Sequence, residues 1–207
     1  MRVSKEKMQK NHERIVQIAS ELFRERGFDG VGVAELMECA GLTHGGFYNH
    51  FRSKDNLIAE ATAKGFEEIA ELYADQGTLD AIELYISREH RDSRGQGCPA
   101  AALSCEVARQ SDQTKTVFAA GIENRLRKVG DELGHYFGVE ARAKAISIVA
   151  QAVGAIILSR ACPDDSALAE EILEVCRADC HAAIESSVRR QGRGVASTSS
   201  PRRRRSK

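Results

Sequence analysis

Through most of its length the chain repeats its apolar residues at intervals of three and four, and no run alternates them in the way a half-buried strand requires. Residues three and four apart share a helix face, whereas strands have period two. An all-α fold follows. Over residues 11–26 the apolar set Ile15, Ile18, Ala19, Leu22 and Phe23 marks one helix face, and Gly27 supplies a stop. Val33, Leu36, Met37 and Ala40 form a second, short stripe ending at Gly41. Thr43 stands where it caps a third helix over 44–51, and Ser53 caps a fourth running to about 74. Further helices are expected over 79–89, from Pro99 onward, and over 115–137, 140–161 and 164–189, with a polar loop at 91–97.

At 207 residues the chain has room for a small module and a larger helical one. A content of 42% hydrophobic and 29% charged residues supports a buried core and argues against a fibre or a wholly disordered chain. The longest apolar stretch, 145–158, is shorter than the roughly 20 residues a membrane span needs and is broken by Ser147, Gln151 and Gly154, so a buried helix is expected there. The charged N-terminus does not read as a secretory signal, and a cytoplasmic location without a membrane partner is expected. Six cysteines, at 39, 98, 105, 162, 176 and 180, fall inside helical patterns and are expected to be reduced.

Net charge is zero but unevenly spread. Residues 1–54 hold 9 basic and 7 acidic side chains, 55–188 hold 13 and 23, and 189–207 hold 8 and 0. Duplex affinity rests on neutralised phosphates, so the acidic middle is a poor nucleic-acid surface and contact must come from the ends.

A short helix, a glycine-containing turn and a second short helix is the arrangement that lays a recognition helix in the major groove. An ordinary helical hairpin has the same periodicity, so the residues must decide. The stretch Gly27-Phe-Asp-Gly-Val-Gly-Val-Ala-Glu-Leu-Met-Glu-Cys-Ala-Gly-Leu-Thr-His-Gly-Gly-Phe-Tyr-Asn-His-Phe51, followed by Lys54 and Leu57, resembles the N-terminal module of the TetR family of repressors. The resemblance implies a three-helix helix-turn-helix DNA-binding domain over 1–54 and a helical ligand-binding and dimerisation domain over 55–190. Residues 191–207, where Gly, Ser, Thr, Pro and Arg dominate, are expected to form a disordered basic tail.

Site roles follow from the same resemblance. Gly32 and Val33 open the second helix on the DNA side; the family commonly has Ser or Thr at the position of Gly32, so a phosphate-binding hydroxyl is missing there. A small alanine is usual where Met37 stands, which implies different local packing. Thr43 is expected to cap the recognition helix, and Gly45 and Gly46 to let it approach DNA closely. His44 and Asn49 are placed to reach base edges, and asparagine pairs bidentately with adenine. Tyr48, His50 and Lys54 match phosphate-contacting positions, while Phe47 and Phe51 read as core.

In the helical domain, Ile146, Val149, Val153 and Ile157 on one helix and Leu168, Ile172 and Val175 on the next are expected to build a homodimer interface. Cys98, between Gly97 and Pro99, is placed at a helix N-terminus and resembles a position where some family members sense electrophiles or oxidants. Cys105, one heptad later, is expected in the core. Cys176, Cys180 and His181 lack a fourth ligand, so no metal site is expected, and no cofactor either.

No Gly-x-Ser-x-Gly, His-Glu-x-x-His or Walker-type loop is present, so an enzyme is the weaker reading. A helical interaction protein using the four arginines at 202–205 for nonspecific binding is another alternative. The favoured expectation is a transcriptional repressor that binds a double-stranded DNA operator as a homodimer. It releases that operator when a small-molecule effector or an electrophile acts on the helical domain.

Overall fold

The computed structural model describes residues 5–133 and 138–197. α1 (Lys5–Arg26) starts earlier than its apolar stripe, because polar pairs one turn apart support its first turns: Lys10 to Glu6 and Gln9 to Glu13, both at 2.8 Å. It ends at Gly27, whose φ of +79° suits glycine and whose N–H bonds the Phe23 carbonyl. α2 (Val33–Cys39) closes with a second left-handed glycine, Gly41 at φ +64°. There the Gly41 N–H bonds the Glu38 carbonyl and the Leu42 N–H the Met37 carbonyl, the two bonds that reverse a chain leaving a helix.

The segment from His44 to Asn49 is a 3-10 helix, not the α-helix expected over 44–51. Two adjacent glycines weaken α-helical propensity, and the tighter turn is closed by Gly46 N–H to the Thr43 carbonyl at 2.9 Å. α3 (Lys54–Leu72) is capped as expected, with the Ser53 hydroxyl accepting from the Asn56 N–H at 3.2 Å.

The helix expected over 79–89 is two elements, α4 (Thr78–Tyr85) and α5 (Arg88–Asp92). Ser87 makes the break by accepting from the His90 N–H and starting a new turn. A 3-10 turn (Arg94–Gln96) then leads to α6 (Pro99–Val107), with Pro99 in its first turn. α7 (Asp112–Leu133), α8 (Gly138–Ala161) and α9 (Ala167–Ser197) complete the described residues.

α9 continues beyond 189, so the expected disordered tail does not begin at 191. Extending an existing helix adds one hydrogen bond per residue, and Gly192 and Gly194 each cost only about 1 kcal/mol against that. The remainder of the expected tail, 198–207, lies outside the described residues.

Two apolar cores share α3. Its first turns give Leu57, Ile58 and Ala61 to a core with Ile15, Phe23, Phe28, Leu36, Met37, Phe47 and Phe51, to which α6 adds Leu103 and Val107. Its second half gives Ile69 to a larger core with Tyr85, Leu126, Ile148, Ile156 and Leu173, joined at its C-cap by Tyr73. α8 is long and apolar enough to cross a bilayer by length and composition, but Ala145, Ile148, Ala152 and Ile156 along one face are buried in this core.

Candidate nucleic-acid interface

The 3-10 turn is held from behind and bare in front. Phe47 is buried, with its ring 5.4 Å from that of Phe51, and His12 of α1 stacks on Phe51 at 4.6 Å. Thr43, His44, Gly45, Tyr48 and Asn49 are exposed, Tyr48 to 71%. A fixed backbone with outward polar side chains is what groove reading requires, since an ordered donor or acceptor loses little entropy on contact. A Cβ at Gly45 or Gly32 would meet nothing within 4 Å, so both positions present open backbone, whereas Gly46 faces inward to the Met37 methyl, 3.5 Å from a Cβ placed there.

Three expectations change. Thr43 occupies the cap position but its side chain accepts no backbone N–H, because the 3-10 turn uses the Thr43 carbonyl. Lys54 is turned inward: its Nζ donates to the Phe28 carbonyl at 2.6 Å and lies 5.9 Å from the Phe23 ring. That bond fastens α3 to the turn between α1 and α2, so its first role is holding the module together. His50 is half-buried, and burial and the nearby His12 hold its pKa below 6.5. At neutral pH the ring is therefore a hydrogen-bonding group without a full charge.

The module is clamped to the helical domain by residues the sequence did not single out. Buried Arg24 donates to Glu68 at 2.6 Å and to the Gly95 carbonyl at 2.8 Å, and Glu25 accepts from the Gly95 N–H at 2.9 Å. Glu106 of α6 accepts from the Phe28 N–H at 2.7 Å, under the Gly27 turn. Gly65 of α3 lies so close to α1 and α6 that a Cβ there would sit 2.7 Å from Arg24 and 2.8 Å from Pro99. A glycine inside an otherwise periodic helix was the one signal of this approach.

Cys98 is the N-cap of α6 and fully buried. The thiol is therefore closed to bulk solvent and borders an internal cavity instead. Its backbone N–H donates to His90 Nε2 at 3.0 Å, and the residue forms part of the wall of a cavity of about 410 Å³ between α3 and α7. Cys105 is exposed, contrary to the heptad argument: Cys98 has extended backbone and lies outside the helix, so the spacing carries no helical register. Cys180 is buried, with its pKa pushed up to about 11 by burial, and His181 turns to Glu83 at 3.1 Å.

Of the residues expected at a dimer interface, Ile146, Leu168 and Val175 are exposed, to 45%, 54% and 60%, and Val153, Ile157 and Ile172 are half-buried. Val149 is buried in the chain's own core, because α8 turns that face toward its neighbours. Leu158, 58% exposed, joins the outward set.

Residues 15–61 match a family model described as bacterial regulatory proteins, tetR family. The AcnR transcriptional repressor of Corynebacterium jeikeium is 36% identical over 77 residues, 36% of this chain and 41% of that protein, so this match spans less than half of the relative. An uncharacterized HTH-type regulator of Mycobacterium tuberculosis, Rv0196, is 27% identical over 74% of this chain and 86% of its own. A TetR-family regulator structure from Cytophaga hutchinsonii superposes with a TM-score of 0.70 at 19% identity, covering 88% of this chain and 97% of that one, which shows the shared fold. With the module, the outward turn and the helical domain in place, residues 15–61 carry the N-terminal module of the tetR family of bacterial regulatory proteins, and the chain as a whole shares the fold of TetR-family regulators.

Proposed function

We propose that this chain is a cytoplasmic, sequence-specific transcriptional repressor that holds its operator as a homodimer and releases it when a small molecule or an electrophile acts on the helical domain. The observation that carries this is the turn from Thr43 to Asn49. It sets exposed His44, Tyr48 and Asn49 on a backbone anchored by Phe47 and Phe51. His44 and Asn49 read bases; Thr43 and Tyr48 bond phosphates, with the open backbone of Gly32 and Gly45 admitting the duplex. Exposed Ile146, Leu158, Leu168 and Val175 supply the apolar patch through which two copies pair.

Release travels through α6. Its N-cap, Cys98, forms part of the cavity wall; Pro99 abuts Gly65 of α3; and Glu106 near its other end holds the Phe28 N–H at the head of the helix-turn-helix. A ligand in the cavity, or an adduct on Cys98, changes the free energy of one arrangement of α3, α6 and α7 relative to another, and differential affinity is what shifts such an equilibrium. Both triggers converge on one place.

Selection of bound sequences from random duplex DNA by the full chain tests the reading. The expected product is an inverted repeat whose half-sites lie about one helical turn, or a small multiple of it, apart. Recovery of no enriched sequence would refute it.

A further inference from the structure

The cavity between α3 and α7 has a volume of about 410 Å³, within the roughly 300–1,000 Å³ range of small-molecule sites. Its wall is largely carbon, from Phe66, Ile69, Tyr73, Val117 and Ala120. Arg125 of α7 also forms part of that wall. The guanidinium carbon lies 4.3 Å from the centroid of the Tyr85 ring and 5.5 Å from that of Tyr73, so aromatic faces hold the cation in place.

Stacking uses the face of a guanidinium and leaves its edge donors unspent. Arg125 Nε is removed from solvent and has no hydrogen-bond partner among the described residues. No carboxylate or carbonyl pairs with Arg125 among them either. Arg24 and Arg160 also leave one nitrogen, Nη1, without a partner, but their other donors are paired within the fold, Arg24 with Glu68 and the Gly95 carbonyl and Arg160 with the carbonyls of His90 and Arg91, and buried Arg91 is held by Ser159. A desolvated N–H without an acceptor is costly, more so on a charged group, and an anion is the partner that best offsets that cost.

The remaining charges of the wall agree. Lys128 donates to the carbonyls of Tyr73 and Ala74 at the end of α3, keeping its positive charge beside the cavity. Glu67, the acidic residue of the lining, is exposed and stands 3.7 Å from Lys64. A cationic ligand would meet two fixed cations, and a neutral one would leave Arg125 unanswered.

We propose that this cavity is the effector site and that its ligand is a small organic anion, a carboxylate on an apolar body, with Arg125 binding the carboxylate through its edge and the carbon wall covering the rest. The proposal rests on the effector-responsive reading above and names the ligand class. A carboxylate matches the guanidinium edge with two parallel bonds, which an ammonium or an amide does not. Bound there, it ties α7 to the second half of α3 beside the Cys98 end of α6.

Calorimetric titration of the full chain with 2-naphthoate, indole-3-acetate and octanoate, each beside its primary amide, is the test. At least one acid is expected to bind tenfold or more tightly than its amide. Arg125→Gln is expected to abolish that preference, while Arg127→Gln, at an exposed neighbour, keeps it. Should Arg125→Gln fail to fold, the wild-type preference of acid over amide decides alone, with 2-naphthylmethylamine expected not to bind. Amides or the amine binding as tightly as the acids, no acid binding at millimolar concentration, or an undiminished preference in a folded Arg125→Gln protein would each overturn the proposal. Retention of the selected duplex is measured on the same samples: duplex binding without acid binding defeats the ligand class and leaves the regulator standing, whereas acid binding without any selected duplex does the reverse.

Discussion

His90 makes stability depend on pH in a way the structure specifies. Its Nδ1 is 2.6 Å from the Tyr85 carbonyl, which only accepts, and its Nε2 is 3.0 Å from the Cys98 backbone N–H, which only donates. The neutral ring protonated on Nδ1 satisfies both, and a second proton on Nε2 would face the Cys98 N–H. Burial pushes the His90 pKa down to about 4, against the pull of the Tyr85 carbonyl and with Arg160 and Arg125 acting in the same direction as burial. An unfolded histidine near 6.5 takes up the proton that the folded state refuses, so stability is full above about pH 6.5 and is lost as pH falls toward 4. At about 1.4 kcal/mol per pK unit the whole effect is about 3 kcal/mol, of which about 2 kcal/mol is lost between pH 7 and about 4.5. Urea denaturation of wild type and His90→Gln at one protein concentration, across that range, isolates it. His90→Gln is expected to be weaker at pH 7 but to lose about 2 kcal/mol less on acidification. Parallel curves for the two proteins would refute the assignment of the neutral, doubly bonded ring.

Gly121→Ala drives a Cβ into the Phe66 ring, itself packed on Phe118, and is expected to destabilise by about 1–3 kcal/mol despite the better helix propensity of alanine; an unchanged urea midpoint would count against the packing. Val175→Glu puts charge into the outward apolar patch and is expected to give a monomer by sedimentation with operator affinity down at least tenfold; a dimer of unaltered affinity would move the interface elsewhere. Cys98→Ser is expected to keep DNA binding and to abolish operator release by diamide, and release at the wild-type dose would remove the thiol from the mechanism.

Much of the fold was legible because its signals are local. The stops at Gly27 and Gly41, the Ser53 cap, Pro99 in a first turn and the burial of Phe47 and Phe51 each depend on neighbours a few residues away. Errors fell where a local pattern had two solutions. Ser87 starts a new turn without a glycine or proline to mark it, and Gly45-Gly46 suits a 3-10 turn as well as a helix start. Polar pairs carried α1 back to Lys5 without any apolar period. The site was read less fully than the fold. His44, Tyr48 and Asn49 are outward as expected, but the inward bond of Lys54 to Phe28, the Glu106 clamp and the partnerless edge of Arg125 are made between residues far apart in the chain. Spacing along a sequence carries no information about such pairs until the helices are packed.

Base reading is assigned to the turn from Thr43 to Asn49. Affinities of wild type, His44→Ala and Asn49→Ala for the selected duplex and for a scrambled duplex, at one fixed salt concentration, measure this directly. Both substitutions lie on exposed positions and are expected to leave folding intact. Each is expected to weaken the selected duplex by about 1–3 kcal/mol, roughly tenfold to a hundredfold, while the scrambled duplex changes little. Equal losses on the two duplexes, or no loss on either, would contradict base reading by this turn.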